Sequence, residues 1–142
     1  MSLENDPQIQ ETVALLVEED GRYLPDAYFF VLDTVAAAMG KASRSRQGHV
    51  GGKELCQVGT TLALERFGPF AWAILQRWGI RTTMDLGDIV FAFVGAKILG
   101  LSSSDRREDF LDVYDLEAVL RAPYRAEPPY QDMPAIHTKD LT

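Results

Sequence analysis

The stretch ERFGPFAWAILQRWGIRTTMDLGDIVFAFVGAKILG, residues 65–100, decides the fold. Gly68-Pro69 sets a residue that tolerates left-handed backbone directly before one whose fixed φ suits the first turn of a helix, so one helix stops where another starts. Phe70, Ala73, Ile74 and Trp78 then recur at helical spacing until Gly79 ends the element. Thr82-Thr83-Met84-Asp85 has the form of a capping box, in which a hydroxyl and a carboxylate satisfy the amides at a helix start. Leu86, Ile89, Val90, Phe93, Val94 and Ile98 follow on the most apolar helix of the chain, expected over 83–99 and at the centre of the fold.

Upstream, the same punctuation recurs. Asp6-Pro7 reads as an N-cap with proline at the first helical position, and Ile9, Val13, Leu16 and Val17 share one face of a helix closed by Gly21. Glu18, Glu19 and Asp20 oppose the dipole at the end of that helix. Pro25-Asp26 opens a second helix, with Tyr28, Phe29, Leu32, Val35, Ala36 and Met39 at core spacing and Gly40 as its stop. Residues 41–52 read as a polar loop. Gly51 to Glu54 start a third helix, whose buried side is read from Leu55, Val58, Leu62 and Phe67. Gly59 and Ala63, four residues apart, would let another backbone approach closely.

Downstream of Gly100 the pattern loosens. Leu101 and the pair Phe110/Val113 are read as two short strands closed by Ser102 to Asp109, and Asp115 as the cap of a last helical piece through Arg121. The expected fold class is mainly α: one domain of five to six helices over residues 1–122, with room for a small C-terminal β-hairpin. Over 53–115 the elements follow the order of a winged helix. Prolines 123, 128, 129 and 134 break every period, so 123–142 is expected to be an extended or mobile tail.

Composition agrees with a folded domain. The chain has 142 residues, 46% hydrophobic and 10% aromatic, enough for one core. A single cysteine, Cys56, allows no intrachain disulfide and points to a reducing compartment. The first residues, MSLENDPQIQE, have no apolar core of a signal peptide. The longest apolar stretch, Leu86 to Leu101, falls about one turn short of a bilayer span and carries Asp88 and Lys97. The expectation is a cytoplasmic protein that does not enter the membrane. Charge is unevenly placed within a net of −7: residues 1–20 carry six acids and no base, 21–81 eight bases against four acids, and 82–142 six bases against eleven acids. An acidic chain is a poor general ligand for nucleic acid, whose affinity comes mainly from neutralised phosphates.

One basic, glycine-rich segment stands out: RSRQGHVGGKELC, residues 44–56. A P-loop would need a preceding strand, a glycine at position 47 and a hydroxyl after the lysine. Here a helix precedes, Gln47 holds the glycine position and Glu54 the hydroxyl position. What survives is a weaker anion site, formed by amides after Gly52 with Arg44, Arg46, His49 and Lys53, against the plain reading of a solvated loop with permissive glycines.

Other chemistry finds little purchase. His49, His137 and Cys56 fit no zinc spacing, and Asp105, Glu108, Asp109, Asp112 and Asp115 do not match a calcium loop, so neither metal nor cofactor is implied. Cys56 with His49 is the one thiol–imidazole pair, and nothing nearby orients the imidazole. The pairs Asp85/Asp88 and Asp109/Asp112 are read as structural, and Ser102, Ser103 and Ser104 as turn residues. DNA reading by the helix at 83–99 is disfavoured by Asp85 and Asp88.

Charge complementarity is the strongest functional signal. The basic segment 41–53 holds Lys41, Arg44, Arg46 and Lys53, whereas 105–117 holds six acids, Asp105, Glu108, Asp109 and Asp112 among them, against two arginines. These can meet within one chain or between two. Phe70, Trp72 and Trp78 either extend that contact or pack in the core. The reading is a non-enzymatic protein-interaction module that self-associates or binds a protein partner. The alternatives are nucleic-acid or nucleotide-phosphate binding through the basic loop, and an enzyme with a small-molecule pocket between helices.

The segments HVGGKELC (49–56), LALERFGPFAWAILQRWGIRTTMDLGDIVF (62–91) and DRREDFLDVYDLEAVL (105–120) together resemble a family of small uncharacterised bacterial proteins associated with planctomycetes and verrucomicrobia. The phrases ERFGP, RWGI and DLGDIVF carry the resemblance, which spans about residues 9–125. In that family a serine often follows the His-Val pair, where this chain has Gly51. The resemblance implies a self-contained domain and brings no reaction, cofactor or catalytic residue with it.

Overall fold

The computed structural model describes residues 5–44, 50–100 and 105–124. Among them are six α-helices: α1 (Pro7–Glu19), α2 (Pro25–Arg44), α3 (Gly52–Phe67), α4 (Ala71–Trp78), α5 (Thr83–Gly95) and α6 (Leu116–Arg121). Short 3-10 turns occupy Gly68–Phe70, Arg107–Phe110 and Ala122–Tyr124. These residues form a single mainly helical domain, and no described residue lies in a strand. No helix among them is long and apolar enough to cross a membrane.

Most boundaries follow from local chemistry. The Asp6 carboxylate accepts from the Gln8 and Ile9 amides at 2.9 and 3.4 Å, with Pro7 at the first helical position. Thr82 and Asp85 complete the expected capping box of α5. Gly79 closes α4 with φ 102°, and a Cβ there would fall 2.1 Å from the Arg22 carbonyl oxygen. Only glycine fits a left-handed position so close to another backbone. The Leu24 amide then donates to the Trp78 carbonyl at 3.0 Å, tying the α1–α2 link to the end of α4.

Three boundaries differ from expectation. Gly40 does not stop α2, which runs on to Arg44 because Ala38 and Ala42 are buried on its inner face. The tertiary contacts outweigh the ~1 kcal/mol helix cost of a glycine. The basic segment is thus partly helical, since Lys41 and Arg44 belong to α2.

The central apolar helix ends at Gly95, four residues short of the expected 99. Lys97 turns left-handed at φ 63°, its amide donates to the Val94 carbonyl, and the Ile98 amide donates to the Phe93 carbonyl at 2.9 Å. That is a Schellman closure, with Ile98 folding back onto the core.

The hairpin is the third correction. Arg107–Phe110 is a 3-10 turn, not a strand, and Phe110 is buried. The Asp109 carboxylate accepts from the Arg106 amide at 3.1 Å, which curls this segment instead of extending it. The winged-helix order therefore has its helices without a wing among the described residues. Leu101 to Ser104, the expected first strand and its turn, lie outside them, as does the expected tail from residue 125 on.

The core is centred on α2 and α5. Ala27, Tyr28, Phe30, Val31 and Leu32 of α2 meet Leu86, Ile89 and Phe93 of α5, all buried. Tyr28 stacks edge-on against Tyr23 and Phe93, at 6.1 and 5.8 Å between centroids. The buried side of α3 is made of small residues, Cys56, Gly59, Thr60 and Ala63, with Leu55, Val58, Leu62 and Phe67 only half-buried. Gly59 lets α2 approach so closely that a Cβ would lie 3.3 Å from the Thr34 methyl. Ala36 and Met39 face outward, because α2 is rotated to put Phe30, Thr34 and Ala38 inside.

Candidate functional site

The start of α3 and the 107–113 segment meet; Phe110 and Thr83 hold that segment on α5, and Tyr114 beside it ties to α3. Phe110 lies on the bare backbone of Gly87 and stacks edge-on with Phe91, 6.4 Å between centroids. The buried Thr83 hydroxyl donates to the Phe110 carbonyl at 2.7 Å and accepts from the Val113 amide at 3.2 Å. Tyr114 donates to the Cys56 carbonyl at 2.7 Å, so the Thr60 hydroxyl, also bonded to the Tyr114 oxygen, must be the donor in that pair.

This bracing opens a groove of about 280 Å³ between the second half of α2, the first turn of α3 and α5. Its walls are Val35, Met39, Leu55, Val90, Phe91 and Leu99, and its lip carries Asp105, Arg106 and Asp109. Met39, expected in the core, is 54% exposed here. The floor is apolar and the lip is polar, with two carboxylates to one guanidinium.

Of the basic candidates, Lys53 is exposed on the first turn of α3 and Arg44 is the last residue of α2. Arg46 and His49 lie outside the described residues. Among the acidic candidates, Asp105 and Asp109 share the groove lip, whereas Glu108 and Asp112 are exposed and absent from its lining. The two segments touch through backbone and not through a charge pair at one place, where a Cβ on Gly52 would fall 3.0 Å from the Asp109 Cβ. That puts an acidic residue against the start of α3, which already holds Glu54 in its first turn. Both acids oppose an incoming anion there.

The remaining polar groups are committed to structure. Asp88 bridges Arg22, at 3.3 Å, and Arg107, linking the α1–α2 turn to the 107–110 turn. Asp85 accepts from the Tyr23 hydroxyl at 2.6 Å and from the Arg81 and Thr82 amides. Burial first, and then that carboxylate, hold the Tyr23 phenol well above its usual value. Cys56 is fully buried, and burial pushes its thiol up to about 12, far from the thiolate a nucleophile needs. Among the described residues no three His, Cys, Asp or Glu side chains gather as a metal-binding group.

Thr83, Gly87 and Met39 were not picked out as site-forming from sequence. A glycine inside an apolar helix is a signal of close backbone approach, and Gly87 within DLGDIVF carried it. The second threonine of Thr82-Thr83 carried none, because its partners are 27 and 30 residues away.

Phe70, Trp72 and Trp78 divide. Trp78 packs in the core against Phe30 and Phe67, at 5.9 and 5.5 Å. Phe70 is 66% exposed, and Trp72 is half-buried beside a second groove. No protein-family model, curated protein or solved structure matches the chain.

Proposed function

We propose that the chain is a non-enzymatic protein-interaction module whose docking surface is the groove between α2, α3 and α5. The observation that carries this is an exposed Met39 at the mouth of an apolar groove whose lip holds Asp105 and Asp109. A flexible thioether suits the reception of varied apolar side chains. The two carboxylates favour a partner whose apolar anchor is flanked by lysine or arginine. Cys56, Asp85 and Asp88 are occupied in packing, caps and ion pairs, which favours this reading over a small-molecule enzyme. Asp109 and Glu54 at the start of α3 weigh against the nucleotide-phosphate alternative.

Methyl NMR on methionine-labelled chain tests it, with Met84, half-buried in the core, as internal reference. A leucine–lysine amphipathic peptide should shift the Met39 methyl and leave Met84 in place, and added salt should weaken the effect. An equal response to the leucine–glutamate counterpart would remove the role of the acidic lip. Silence of Met39 toward both would remove the groove.

A further inference from the structure

We propose that a second groove, between the start of α4 and α6, docks a proline-rich segment of a partner protein that carries arginine or lysine beside its prolines. This surface is separate from the Met39 groove. Its volume is about 580 Å³, and Pro69, Trp72 and Ala73 form one wall, with Ala118 and Tyr124 opposite. Tyr124 is 50% exposed and holds its hydroxyl over Gly68, where a Cβ would be 3.6 Å away.

Two side chains that carry donors line this groove. Among the described residues neither the Trp72 indole N–H nor the Tyr124 hydroxyl donates a hydrogen bond within the chain. No buried side-chain polar atom of the half-buried described residues lacks a partner, so the Trp72 N–H is open to solvent, and Tyr124 is an exposed residue. A polyproline helix has no internal hydrogen bonds and presents every carbonyl outward. Its flat rings stack on aromatic faces, and its carbonyls accept from donors such as these two. Two rigid rings with unpaired donors, set beside Pro69, match that ligand better than they match an amphipathic helix, whose carbonyls are already bonded.

Charge selects the flank. Asp115 and Glu117 line the groove, with Glu117 paired to Arg121 at 3.1 Å. They close the run 105–117, which holds six acids against two arginines. Two carboxylates against the one guanidinium of Arg121 favour a partner that brings basic side chains to that wall.

The test is ¹⁵N NMR of the full chain with a synthetic oligoproline carrying an arginine at each end. The chain has two tryptophans, so two indole signals report. The Trp72 signal should move and that of Trp78, packed between Phe30 and Phe67, should not. Replacing the prolines by glycine at constant charge should weaken binding at least about tenfold, because the preformed helix is lost. Trp72→Phe keeps a ring and removes the donor, and should weaken binding by about fivefold; Tyr124→Ala should do at least as much.

Equal binding of the glycine peptide would reduce the contact to charge and overturn the proposal. So would a fixed Trp72 signal at millimolar peptide. A full-length Pro128→Ala/Pro129→Ala variant that binds the peptide about tenfold more tightly would assign the groove to the chain's own prolines, by relief of an intramolecular competitor, and would overturn it too.

Discussion

The ring of Phe110 fills the space over Gly87 that any side chain would need: a Cβ there would lie 2.6 Å from the Phe110 Cγ. Gly87→Ala should therefore destabilise the domain by about 2 kcal/mol, the net of overpacking against a gain in helix propensity. The informative comparison is the same change in a Phe110→Ala background. With the ring gone the Cβ of residue 110, 2.7 Å from the added Cβ, still crowds it, so the penalty of Gly87→Ala should shrink without changing sign. Urea unfolding of the four chains gives the coupling energy directly.

Thr83 holds the 107–113 segment from beneath. Thr83→Val keeps the shape and removes a hydroxyl that serves both the Phe110 carbonyl and the Val113 amide. Two backbone groups lose their partner at a buried position, for an expected cost of about 3 kcal/mol. Hydrogen exchange separates this from general weakening. The Val113 amide should lose protection well beyond the amides of α2.

Helix starts and stops were legible wherever the signal is local. Asp6-Pro7, Gly68-Pro69, Gly79 and the Thr82–Asp85 box act within a few residues of themselves, so short-range chemistry suffices. Gly40 misled because burial of Ala38 and Ala42 carries α2 through it. The 107–110 turn was misread for a related reason: Phe110 answers to Gly87 and Thr83, not to a neighbouring strand. Half of the acidic candidates, Asp105 and Asp109, do reach the groove lip. Met39 was read as core because periodicity places residues on faces but does not tell which face of α2, flanked by four other helices, remains uncovered.

Cys56 links stability to alkaline pH. Its ordinary thiol value of 9.0 rises to about 12 on burial, so above pH ~9 the unfolded chain releases a proton that the native chain keeps. Stability should be undiminished below that pH and fall as pH rises through the window from 9.0 to about 12, by at most about 1.4 kcal/mol per pH unit from this group. Tyr23, Tyr28 and Tyr114, all raised chiefly by burial, push in the same direction. Cys56→Ala should flatten the first part of the fall. In native chain at pH ~8 the thiol should react with a disulfide reagent only at the rate of opening, and at full rate in urea.

Lys97 offers a stabilising change. It sits at φ 63° in the turn that closes α5, a conformation that costs a residue with a Cβ about 1–2 kcal/mol and glycine almost nothing. Its side chain is exposed, and no hydrogen bond or ion pair holds it among the described residues. Lys97→Gly should thus raise stability, by about 1 kcal/mol once the greater freedom of glycine in the unfolded chain is deducted. Lys97→Val should lower it by at least as much, because a β-branched side chain fits that backbone worst. Thermal unfolding of the two variants must move the midpoint in opposite directions. A shift of the same sign in both would mean that α5 closes in some way other than through the Phe93–Ile98 bond.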